Sequence, residues 1–153
     1  MRTNRRLLIE QLDKRLNVFQ TLESVVIPDK GWVNAIRVSL NMTLAQLGVK
    51  LNISRQGVKS IEDNESSGSI SIKSMKEVAE ALDMKFVYGF SPRDGSIDNL
   101  IDKKAEQLAT KIVLRANQSM QLENQGIEEY KIKESIVNLA EDIKREMRKS
   151  LWD

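Results

Sequence analysis

Residues 42–65, MTLAQLGVKLNISRQGVKSIEDNE, decide the fold of this chain. Leu47, Leu51, Val58 and Ile61 keep helical spacing, yet two of the chain's seven glycines, Gly48 and Gly57, fall inside these runs. A glycine costs a helix interior about 0.5–1 kcal/mol relative to alanine, so something has to offset it. The spacing predicts two short helices, over about 44–51 and 55–62, each preceded by an N-cap residue, Thr43 and Ser54. Asn52 falls at the tight turn between them, where a left-handed conformation is required that asparagine tolerates well. Gly48 lies mid-way along the first helix, where two helices crossing near a right angle leave no room for a side chain.

This is the layout of a helix-turn-helix, in which the second helix presents polar side chains to a DNA groove. Leu47, Leu51, Ile53, Val58 and Ile61 then point inward, and Arg55, Gln56, Lys59 and Ser60 face out. Arginine pairs bidentately with guanine and glutamine with adenine in the major groove, while lysine and hydroxyl groups go mostly to phosphates. The helix start at Ser54 adds amide donors for a phosphate. Gly57 fits a close approach to the neighbouring helix or to the DNA backbone. The plainer alternative, a solvated face in a bundle that binds no nucleic acid, needs the caps, the turn, the glycine and the inward positions to coincide by accident.

The surrounding composition narrows the function further. With 153 residues and 41% hydrophobic content, the chain can build one domain or a small domain with an appendage. Its net charge of +2 is too small to attract nucleic acid in bulk, so a binding surface depends on local placement. There is no cysteine and no histidine, which excludes disulfides, the usual zinc sites and His-based catalysis. The acids of EDNE, Glu62, Asp63 and Glu65, are expected to face solvent at a helix end, not to form a metal cluster. A non-enzyme with no cofactor is expected. No apolar run approaches a membrane span and the opening MRTNRRLLIEQLDKR is charged throughout, so the expected address is the cytoplasm.

Outside the decisive stretch, Leu8, Leu12, Leu16, Phe19, Leu22 and Val26 predict an N-terminal amphipathic helix within residues 1–28. A DNA-binding domain over 29–84 adds a short helix carrying Trp32, Ile36 and Leu40, and a closing one over about 72–82 capped by Ser71. Phe86, Tyr88 and Phe90 alternate with Val87 and Gly89, which predicts one short strand within 85–92. A lone strand leaves its backbone groups unpaired, so Phe86, Val87, Tyr88 and Phe90 are expected to pair with a second copy and form a homodimer. Residues 97–153 are expected to form a C-terminal helical arm, with Ile101, Leu108 and Ile112 on one face and Ile132, Ile136, Leu139, Ile143 and Met147 on another.

The stretch from Trp32 to about Leu82 resembles the Cro/C1-type helix-turn-helix family of phage repressors and bacterial regulators, through MTLAQLGVKLNIS, SRQGVKSIEDNE and SIKSMKEVAEALDM. The resemblance implies a mainly α fold: a five-helix, lambda-repressor-like domain, here flanked by the N-terminal helix, the strand and the arm. Many members hold a phosphate with a glutamine at the start of the first paired helix; this chain has Leu44 there, and Thr43 or Gln46 is left to make that contact. More narrowly, GWVNAIRVSLNMT, SRQGVKSIEDNESSGSISIKSM and ALDMKFVYGFSP resemble the family called mobile mystery protein A. That likeness implies a regulator of a mobile-element operon encoded beside a Fic-domain protein, a pairing that looks like toxin and antitoxin. Antitoxins of Fic proteins carry Ser or Thr, three residues, Glu, then Gly or Asn, and Ser119, Glu123 and Asn124 fit that pattern. The resemblance makes Glu123 the inhibitory group, obstructing the ATP γ-phosphate in the partner, and Ser119 its support. The plainer reading of the same residues is an exposed helix end.

Overall fold

The structure is a computed structural model that describes residues 2–122 and 128–153. The described residues form seven α-helices: α1 (Arg2–Gln20), α2 (Trp32–Ser39), α3 (Leu44–Leu51), α4 (Arg55–Ser67), α5 (Ile72–Ala81), α6 (Ile97–Leu122) and α7 (Glu129–Glu146). Short 3-10 turns, Thr21–Ser24 and Lys149–Trp152, follow α1 and α7. Packing divides them into two units, one spanning Ser24–Tyr88 and one built from the chain on either side, up to Glu23 and from Gly89 onward.

The inner unit holds α2 to α5. Its core is Val33, Leu47, Val58, Val78 and Leu82, one residue from each helix and one from the turn after α5, with Ile36, Leu44, Leu51, Ile61 and Met75 packed around them. Leu47 and Val58 are fully buried, as their helical spacing requires. Most boundaries in this unit have a local cause. Thr43, Ser54 and Ser71 each turn a side-chain oxygen toward a backbone N–H of the first turn they precede. The C-terminal ends of α3 and α4 are closed by Asn52 at φ 56° and Gly68 at φ 83°.

Two expectations change here. The inner unit contains four helices, not five, with the paired helices second and third among them. The strand expected within 85–92 is also absent, and no strand occurs among the described residues. The alternation of Phe86, Val87 and Tyr88 does set side chains on opposite sides, since Phe86 and Tyr88 stack with ring centroids 5.8 Å apart. A strand, however, is made by ladder hydrogen bonds, and no described segment of this chain supplies them. The alternating aromatic and β-branched residues also resist helix, which is why no fifth helix follows α5.

The outer unit is organised around the α6–α7 hairpin. Ala105 and Ala109 of α6 meet Ile143 and Leu151, all buried, with Leu108, Ile136, Leu139 and Ala140 packed around them. Ile101 is buried, whereas Ile112, expected on the same face, is 42% exposed. Helix α1 joins this unit through Asp13, whose carboxylate accepts the N–H groups of Ile97 (2.7 Å) and Asp98 (3.2 Å) and so caps α6. Leu8 and Leu12 of α1 remain 63% and 43% exposed, so the apolar stripe read from the sequence is only partly covered. Among the described residues no helix is long and apolar enough to cross a membrane.

Candidate nucleic-acid interface

Helices α3 and α4 are joined by three residues, Asn52, Ile53 and Ser54. The Ile53 N–H donates to the Gly48 carbonyl at 2.9 Å and the Asn52 N–H to that of Val49 at 3.3 Å, folding the turn back over the end of α3. Gly48 is therefore required by the turn itself: an added Cβ would stand 2.7 Å from the Ile53 carbonyl oxygen. Gly57 faces the same residue, but less tightly: its Cβ would stand 3.3 Å from the Ile53 side chain. Ile53, expected inward, is 39% exposed and lies against α4 at that glycine.

Arg55, Gln56, Lys59 and Ser60 are all exposed on α4, whereas Val58 between them is buried. Ser54 receives the Gly57 N–H at 3.0 Å. Thr43 and Gln46 form a reciprocal capping box: Thr43 Oγ1 accepts from the Gln46 N–H (3.1 Å) and Gln46 Oε1 accepts from the Thr43 N–H (2.8 Å). These bonds use only the two oxygens as acceptors, so the Thr43 O–H and the Gln46 amide N–H2 remain donors of the kind a phosphate needs. Leu44 is half-buried against the core.

The back of α4 holds what the sequence reading missed. Glu62, expected to face solvent, is 3% exposed and forms an ion pair with Arg37 of α2, Nε to Oε1 at 2.5 Å. Arg37 Nη2 (3.3 Å) and Asn34 Nδ2 (3.0 Å) donate to the other carboxylate oxygen. Arg37 Nη1 donates to the Met42 carbonyl at 2.8 Å, tying the entry to α3 into the same network. Burial pushes the Glu62 carboxyl up, but hydrogen bonds from Arg37 and Asn34 and the positive charges of Arg37 and Lys59 outweigh it and hold the group below the ordinary carboxylate range. Glu65, also expected outside, accepts the Trp32 N–H (2.6 Å) and the Val33 N–H (2.8 Å) and caps α2, whose own N-cap residue is glycine. Only Asp63 of the EDNE acids faces out, with its carboxylate 3.0 Å from Lys59 Nζ. The three carboxylates thus diverge, to Arg37, to Lys59 and to the start of α2. A signal was present in the sequence, because Val58, Ile61, Glu62 and Glu65 share one helical face.

The geometry is that of two short helices clamped at a fixed angle, with a polar face held outward. Residues 33–88 match the helix-turn-helix family. They form an XRE-type helix-turn-helix domain, the module of a DNA-binding regulator. No match is found among curated proteins or among solved structures. Within the helix-turn-helix, α3 is the first of the paired helices and α4 the second. Beyond it, Val87, Tyr88 and Phe90 are 65%, 55% and 83% exposed, and Phe86 is half-buried. Ser119 lies exposed on α6 and its hydroxyl donates to the Arg115 carbonyl at 3.3 Å, while Glu123 and Asn124 lie outside the described residues.

Proposed function

We propose that the chain is a homodimeric, sequence-specific transcriptional repressor that controls its own mobile-element operon from the cytoplasm, acting by binding and not by catalysis. The observation that carries this reading is the exposed set of Arg55, Gln56, Lys59 and Ser60 on a helix tied to α2 by the ion pair of Arg37 with buried Glu62. Arg55 and Gln56 read base edges; Lys59, Ser60, Thr43, Gln46 and the amides after Ser54 hold phosphates. A two-fold dimer presents two such helices to half-sites about one helical turn apart. Support for the dimer comes from the exposed side chains of Val87, Tyr88 and Phe90, beside half-buried Phe86, which the same segment of a second copy would cover. A gel-shift titration on the DNA upstream of the gene tests the reading. Wild type is expected to shift one palindromic fragment, and Arg55→Ala with Gln56→Ala to lose at least about tenfold in affinity, given about 1–3 kcal/mol for a good bidentate pair. Equal binding by that double variant would overturn the assignment of the reading helix.

A second reading, compatible with the first, is favoured by the pattern Ser119, Glu123, Asn124. In it the C-terminal helices inhibit a Fic-domain partner by direct contact, with DNA binding as autoregulation. Co-expression with a Fic-domain neighbour is expected to protect cells, and Glu123→Gly to abolish protection. Full protection by that variant would remove the motif from the account.

A further inference from the structure

Asp63 lies on the outward side of α4 in one row with the proposed readers: Gln56, Lys59, Ser60 and Asp63 stand at positions 0, 3, 4 and 7. Seven residues of helix separate Gln56 from Asp63 by about 10 Å, or about three base-pair steps along a groove. The side chain is 63% exposed, and it pairs with Lys59 Nζ at 3.0 Å. Lys59 is itself 52% exposed. An exposed i,i+4 pair of this kind is weak and opens readily when Lys59 turns to a phosphate. Asp63 is then a bare carboxylate in the groove, and a carboxylate has acceptors only. Phosphate oxygens repel it, as do guanine O6 and N7 and thymine O4. The matching donor in the major groove is the cytosine N4 amino group, because adenine's amino group sits beside the N7 acceptor.

We propose that Asp63 is a specificity-determining residue of the reading helix, selecting cytosine about three base pairs from the Gln56 contact and weakening binding to all DNA that lacks it. This rests on the reading of α4 as the DNA-reading helix. In the free protein Lys59 neutralises Asp63. At a matching site cytosine replaces Lys59 as its partner, and at other sites nothing does. The repulsion is thus confined to the complexes a repressor has to reject.

The test is selection from a pool of random-sequence duplexes, run in parallel with wild type, Asp63→Ala and Asp63→Asn, with binding of random 30-base-pair DNA followed by anisotropy. Wild type is expected to enrich a motif with one cytosine that Asp63→Ala no longer requires, the remainder of the motif being kept. Asp63→Asn is expected to change that cytosine to adenine, which asparagine contacts through N6 and N7. Both variants are expected to bind the random duplex about tenfold more tightly at low salt, with unchanged thermal midpoints. If the same motif and the same random-DNA affinity are obtained with all three proteins, the role of Asp63 is overturned while the reading helix stands. If wild type enriches no sequence, both fall.

Discussion

Gly48 and Gly57 break the same propensity rule and should answer differently to alanine. At Gly48 the added methyl meets a backbone carbonyl, which cannot move without opening the turn. Gly48→Ala is therefore expected to destabilise the inner unit by about 1–3 kcal/mol. At Gly57 the neighbour is the flexible Ile53 side chain at 3.3 Å, and alanine gains up to about 1 kcal/mol of helix propensity. Gly57→Ala is expected to leave stability within about 0.5 kcal/mol of wild type, and urea denaturation of both variants separates the cases. Glu62 makes a second residue-scale claim. Removing it strands the half-buried Arg37, so Glu62→Ala is expected to lose about 3 kcal/mol near neutral pH. Because the folded carboxyl lies below its ordinary 4.5, the stability it contributes is complete above that value and is lost as pH falls through the lower folded one. The gap between wild type and variant should therefore narrow on acidification below 4.5.

At the scale of elements, what was legible in the sequence is what depends on neighbours three or four residues apart. Thr43, Ser54 and Ser71 cap the helices they precede, and Asn52 takes the left-handed turn, because each acts within one turn of chain. The clamp between α2 and α4 was not legible, because Arg37 and Glu62 are 25 residues apart and nothing in either helix alone names the other. Nor was the cap of α2, which Glu65 provides across 33 residues of chain. Glu65→Ala is expected to fray the start of α2 and cost about 0.5–2 kcal/mol, seen as faster amide exchange in its first turn. The misread strand teaches the complement: alternation in 85–90 records an extended chain, and only a partner makes it a strand. If a second copy is that partner, Val87→Pro removes a ladder donor and should reduce the dimer fraction by light scattering while the helical circular dichroism is unchanged.

At the scale of the whole molecule, the described residues form two hydrophobic cores, one around Leu47 and Val58 and one around Ala109 and Ile143. Leu47→Ala should therefore cost the inner unit about 2–5 kcal/mol and speed amide exchange in α2 to α5, with little change in α6 and α7. The division into units follows from the return of the chain: Asp13 reaches amides 84 residues later to cap α6, a pairing that no local pattern announces. That return also sets a timetable. During synthesis the inner unit is complete once residue 88 has emerged, while α1, made before it, waits for α6 and α7. A growing polypeptide can thus possess a finished helix-turn-helix unit while Leu8 and Leu12 of its first helix are still without the rest of their unit. Early in its life the chain is competent in the middle and unfinished at both sides, and that interval is when a chaperone or a neighbouring nascent chain has most access to α1.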